Sequence, residues 1–131
     1  MSILLKNKIK TLANDANVRL LGPHFLEDSF QGCSYDLRIG SAFIGKKIIS
    51  KDHNVEKWWT TSKKWEISVE PSEIITILTL EEISLPNYIS ATVFAMNSFS
   101  STGFLILNPG HIDPGYKGPV SICAINLRTC K

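Results

Sequence analysis

From Ser34 to Arg128 the chain is a succession of short β-branched or alternating runs, most of them cut by glycine or proline, and no other feature constrains the fold so strongly. In "SYDLRIG", Tyr35, Leu37 and Ile39 alternate with Ser34, Asp36 and Arg38, the period-two pattern of a half-buried strand. "SAFIGKKIIS" continues that strand or pairs with it, and "WEISVEP" alternates again. "EIITILTLEEISLP" predicts two short β-branched strands ending at Pro86. "YISATVFAM" and "FLILNPG" are more continuously apolar, as buried strands are, and "GPVSICAINLR" supplies a last strand. Ile3 to Leu12 has its apolar residues at partly helical spacing and predicts one short helix, after which Gly22-Pro23 breaks the chain. Many short strands with one N-terminal helix predict an all-β sandwich or jelly roll, in a single domain over residues 1–131.

Composition narrows the function classes. With 44% hydrophobic and 20% charged residues, the chain has the make-up of a soluble globular protein. A net charge of +2 and scattered lysines give no concentrated basic face, which argues against nucleic acid as a partner. No run reaches membrane-spanning length, and the lysines at 6, 8 and 10 interrupt any signal-peptide core, so the expected location is the cytoplasm. Cys33, Cys123 and Cys130 show no paired spacing and are expected as reduced thiols; His24, His53 and His111 lie too far apart in sequence to suggest a metal site. The segment around Trp58 and Trp59 reads as an exposed excursion or long hairpin. Its aromatic pair is either a contact surface for a protein partner or the cap of a core or subunit interface.

One turn stands apart. "IDPGYKG" holds Asp113, the only carboxylate after Glu82. Asp-Pro-Gly-Tyr is a favourable β-turn by itself, since Asp113 can bond the backbone ahead, Pro114 presets φ and Gly115 tolerates positive φ. The same rigid turn also suits catalysis, because a carboxylate ionised at neutral pH can accept a proton from water.

"SYDLRIG", "PSEIITILTLEEISLP", the serine-containing stretch at 96–103 and "IDPGYKG", in this order and spacing, resemble the dCTP deaminase and dUTPase superfamily over roughly Ile3 to Asn126. The resemblance implies a distorted β jelly roll that assembles as a homotrimer, with nucleotide sites between subunits and Mg2+ carried on the triphosphate. It places Asp113 where the dUTPases activate water and Tyr116 where a tyrosine packs under the deoxyribose. By the same likeness, Asn97, Ser98, Ile112 and Lys117 become nucleotide-binding candidates, the ligand being a pyrimidine deoxynucleoside triphosphate.

Three departures qualify that expectation. The deaminases carry a glutamate ten residues beyond the aspartate, and this chain has Cys123 there, with no Asp or Glu after Asp113. A thiol is mostly neutral at pH 7 and makes a poor base. The family's phosphate-binding pattern, close to G-R-S-S-L-A-R-x-G, is met by "AMNSFSSTG": Met96 and Ser101 stand for the two arginines, Asn97 for the first serine, Ser98 matches the second and Gly103 is retained. Charge-assisted bonds to phosphate contribute about 1.5–3 kcal/mol each, so their loss weakens a triphosphate grip on the order of a hundredfold. Lys117 offers a point charge rather than a planar fork. Relative to the family the chain also reads as short at its C-terminus. The expected protein is therefore a dCTP deaminase/dUTPase-like member of pyrimidine deoxynucleotide metabolism, impaired as a deaminase. The alternatives are a dUTPase-type hydrolase using Asp113 and a pseudoenzyme whose trimeric scaffold serves nucleotide sensing or protein interaction.

Overall fold

The structure, a computed structural model, describes residues 2–44, 47–51, 69–107 and 110–128. Trp58, Trp59 and most of "WEISVEP" lie outside the described residues.

The helix forms as α1 over Lys6–Asn14, later than the spacing from Ile3 suggests. Ile9, Leu12 and Ala13, one helical turn apart, form its buried face, whereas Ile3 and Leu5 stay exposed. The Lys6 N–H donates to Gly32 O at 2.9 Å, which fixes the start of the helix against the loop before residue 34. A single 3-10 turn, Glu27–Ser29, follows in that loop.

Among the described residues seven strands come next: β1 (Ile39–Ile44), β2 (Lys47–Lys51), β3 (Ile74–Ser84), β4 (Ala91–Thr92), β5 (Phe104–Ile106), β6 (His111–Ile112) and β7 (Lys117–Asn126). A four-residue helix, α2 (Asn97–Ser100), lies between β4 and β5. Five strands form one antiparallel sheet in the order β2-β1-β3-β7-β5, while β4 and β6 pair separately. The fold is all-β and antiparallel, as expected.

β3 is one strand of 11 residues rather than two. Its buried residues alternate without interruption from Ile75 through Ile83, even though the register with β7 slips between Leu78 and Glu82. Thr79 holds the irregularity together: its hydroxyl donates to Glu81 O and accepts the Val120 N–H, both at 2.9 Å. The side chain thus replaces ladder bonds that a buried backbone cannot leave unmade.

"SYDLRIG" contributes only its last two residues to a strand. Tyr35 forms an isolated bridge with Phe30, and residues 36–38 belong to no strand, although the Asp36 N–H donates to Ser29 O at 3.0 Å and the Leu80 N–H to Arg38 O at 2.8 Å. "YISATVFAM" likewise yields only the two-residue β4, with Tyr88 and Phe94 exposed rather than buried.

Two apolar clusters make the core. One joins α1 and the Leu20-Leu21 segment to Ile83, Leu85, Ile112 and Val120; the other joins Ala42, Val69, Ile75, Ile77 and Ala124. Each fully buried Ile or Leu side chain contributes about 1.5–3 kcal/mol, so both clusters anchor β3 and β7 at the centre of the sheet. The turn bearing Asp113 and Tyr116 leads directly into β7, whose base is held by this core.

Candidate functional site

β6 ends at Ile112, which is buried and paired with Ala91 of β4, and the chain then turns at Asp113. The Tyr116 N–H donates to Asp113 O at 3.2 Å, and Gly115 has φ of 84°, the geometry of a type II turn with Pro114 at its first corner. Two further bonds lock the turn to the segment after β3. Gly115 N–H donates to Leu85 O at 3.0 Å, and Leu85 N–H donates to Tyr116 O at 2.9 Å. The Tyr116 hydroxyl donates to Pro119 O, which fixes the ring against the start of β7.

Because Ile112 points into the core, alternation along the chain sends Asp113 outward, with its side chain 87% exposed. The imidazole of His111 lies beside it, with Nε2 3.4 Å from Asp113 Oδ1. Lys117 is exposed beside the turn. Asp113, Tyr116 and Lys117 thus form one rigid, solvent-facing patch.

Asn97 and Ser98 sit elsewhere. They begin α2, which packs on β5 through Phe99 and Phe104, ring centroids 5.4 Å apart. The Ser101 hydroxyl donates to Ser98 O at 3.0 Å. Among the described residues no hydrogen bond or ion pair links α2 to the Asp113 turn. The sequence candidates therefore fall into two separate groups within one protomer.

Beside α2 lies an open groove of about 410 Å³, lined mainly by apolar side chains that include Phe94, Phe104, Leu105 and Leu127. The sequence reading had no signal for it, since these residues are scattered over three segments.

Cys123 lies in the middle of β7, directly across the ladder from Thr76, with its Sγ 3.7 Å from Thr76 Oγ1. It therefore meets a neutral hydroxyl of the neighbouring strand.

Sequence reasoning also missed Glu81. It is fully buried, and its carboxylate gathers the Arg38 Nε (2.7 Å), the Arg38 N–H (2.8 Å) and the Tyr35 hydroxyl (3.0 Å). Arg38 reaches on to His24 O through its second guanidinium arm. Burial, then the neighbouring Glu81 carboxylate, pushes the Tyr35 phenol up to about 12, against the opposing Leu26 N–H bond and the Arg38 charge. The signal was present in sequence as an acidic residue at a core-facing position of β3. Among the described residues no three His, Cys, Asp or Glu side chains gather to hold a metal ion.

A family model for dCTP deaminase-like domains matches residues 3–129. This chain belongs to the dCTP deaminase-like family. The dUMP-forming dCTP deaminase of Methanosphaera stadtmanae is 28% identical to it over 138 aligned positions, which cover 97% of this chain and 70% of the relative. The dCTP deaminase of Pyrococcus abyssi is 32% identical over 103 positions, covering 78% of this chain and 60% of the relative. The chain thus spans about six- to seven-tenths of the length of these relatives. A crystal structure of the 2'-deoxycytidine 5'-triphosphate deaminase of Agrobacterium tumefaciens superposes with a TM-score of 0.63 at 20% identity, covering 96% of this chain and 42% of that one, a likeness of fold. In this dCTP deaminase-like chain, the "SYDLRIG" and "TLEEISLP" stretches meet physically at the Arg38–Glu81 pair. No helix among the described residues is long and apolar enough to cross a membrane.

Proposed function

We propose that this dCTP deaminase-like protein binds a pyrimidine deoxynucleoside triphosphate, in the cytoplasm and as a homotrimer, without deaminating it at an ordinary rate. The observation that carries this reading is Cys123. It stands where the deaminases have their glutamate, and its sulfur lies against Thr76 Oγ1, at 3.7 Å. A cysteine side chain lacks the carboxylate oxygens that move protons while water adds to a cytosine ring.

The rigid turn supports retained binding. Asp113 and Lys117 face solvent and Tyr116 is anchored to the backbone, so a sugar can stack on a fixed ring. The separation of this turn from α2 favours a site shared between subunits, one protomer giving the turn and its neighbour the Asn97-Ser98 segment. Magnesium would arrive on the triphosphate, because the described residues offer no ligand cage of their own.

Incubation with dCTP or dUTP and magnesium, following ammonia and pyrophosphate, tests the reading. The expected result is no ammonia from dCTP together with a raised melting temperature on adding nucleotide. Steady ammonia release would overturn it. Pyrophosphate release that vanishes in Asp113→Asn would make the protein a dUTPase-type hydrolase instead.

The alternative is a trimeric scaffold for nucleotide sensing or protein interaction, with the Trp58-Trp59 segment as a contact surface. One observation favours it: Met96, half exposed, presents an apolar side chain where the family has an arginine. Absence of any thermal shift with deoxynucleotides would select it.

A further inference from the structure

The residues after β7 return to the loop that closes α2. The Leu127 N–H donates to Gly103 O at 2.9 Å, and the Arg128 N–H donates to Asn126 Oδ1 at 3.0 Å. Asn126 is itself fully buried, donating from Nδ2 to Val69 O at 2.8 Å, so Arg128 leaves a fixed point. Its side chain then runs across Gly103. A Cβ at Gly103 would collide with Arg128 Cγ and lie 2.9 Å from Cδ, so a side chain there would displace the stem from this path. The guanidinium carbon sits 5.9 Å from the centroid of the Phe104 ring, which packs in turn on Phe99 of α2. Arg128 is exposed and forms no ion pair among the described residues.

This placement bears on a specific loss. The family pattern puts its second arginine two residues before the glycine, and here Ser101 occupies that position while Gly103 is kept. The Arg128 stem lies against the same glycine. We infer that Arg128 replaces the missing arginine, supplying from the segment just after β7 the guanidinium that grips the phosphate chain of the nucleotide beside α2. The inference rests on the reading that the chain binds a deoxynucleoside triphosphate. A guanidinium held by its stem against Gly103 and Phe104 has lost much of its rotamer freedom, so less entropy is spent when it meets a phosphate.

Calorimetric titration of the full chain with dUTP, dCTP and dUMP tests this, using Arg128→Gln and Arg128→Lys. Arg128→Gln keeps most of the stem against Gly103 and removes the guanidinium beside Phe104 together with its charge. It is expected to weaken triphosphate binding on the order of ten- to a hundredfold. The loss for dUMP should be smaller, and Arg128→Lys should recover part of the affinity. Melting temperatures without nucleotide should stay close to wild type, so that any loss of affinity is read apart from folding. Wild-type triphosphate affinity in Arg128→Gln would overturn the inference and leave the nucleotide reading standing. Equal losses for dUMP and the triphosphates would reduce Arg128 to a packing residue and overturn it also. A wild-type chain that binds no deoxynucleotide would end both.

Discussion

Arg38 Nε lies 2.7 Å from Glu81 Oε1, with the carboxylate at 0% exposure and the guanidinium at 14%. The pair bridges the segment before β1 to β3, and the carboxylate accepts three hydrogen bonds from Arg38 and Tyr35. Removing one partner strands the other charge in the core, which costs about 3–5 kcal/mol. Glu81→Ala should therefore lower the urea midpoint by that equivalent, with the m-value unchanged. A loss under about 1 kcal/mol would show that water reaches the site.

Alkaline stability should report on Tyr35. Its phenol is raised to about 12 in the folded protein, above the unfolded value of 10.0. Between these values the unfolded chain has released the proton and the folded one still holds it, so stability falls as pH rises. The contribution is complete below about pH 10 and lost through about pH 12. Tyr35→Phe should flatten this part of the stability curve relative to wild type, measured by denaturant unfolding across that window. Parallel curves would refute the assignment.

The Asp113 turn offers a local test. Gly115 has φ of 84°, and an added Cβ would approach Asn87 Oδ1 to 3.3 Å. Gly115→Ala should cost about 1–2 kcal/mol through the left-handed backbone alone. Tyr116→Phe, which loses the bond to Pro119 O, should cost about 0.5–1.5 kcal/mol. Thermal unfolding of both variants measures this, and an unchanged melting temperature for Gly115→Ala would mean that the turn is not held in this conformation.

Exposed apolar side chains around β5 give a prediction on assembly. Phe94 is 79% exposed and Leu105 50%, next to the short edge strand β5. Apolar surface of this kind beside an open sheet edge is unfavourable in water unless covered. Sedimentation should show a trimer for the wild type and a shift toward monomer for Phe94→Glu combined with Leu105→Glu. A monomeric wild type would remove the shared-site geometry from the functional reading.

The sheet was legible where burial is set by one face. In β3 and β7 the β-branched residues alternate or run together against a core that the same strands build, so pattern and structure agree. Tyr35 to Arg38 alternates as well, yet it belongs to no strand: single backbone bonds to Ser29 and Leu80 and the Glu81 carboxylate hold it, and no periodicity distinguishes the two. The run from Tyr88 to Met96 was read as buried because it is apolar. Hydropathy reports that a surface avoids water without saying what covers it, and Phe94 finds no cover within the described residues. At the candidate site the Asp113 turn was readable from turn chemistry alone. Arg128 was not, because its approach to Gly103 depends on two strands being neighbours in space.

The slip in register between β3 and β7 has an evolutionary corollary. Thr79 mends that slip, and Glu81 within it clasps Arg38, so the "SYDLRIG" and "TLEEISLP" stretches are fastened to each other for mechanical reasons. A lineage can abandon its chemistry and still be obliged to spell these words correctly. Kinship read from them certifies the frame of the building, and says little of the trade practised inside.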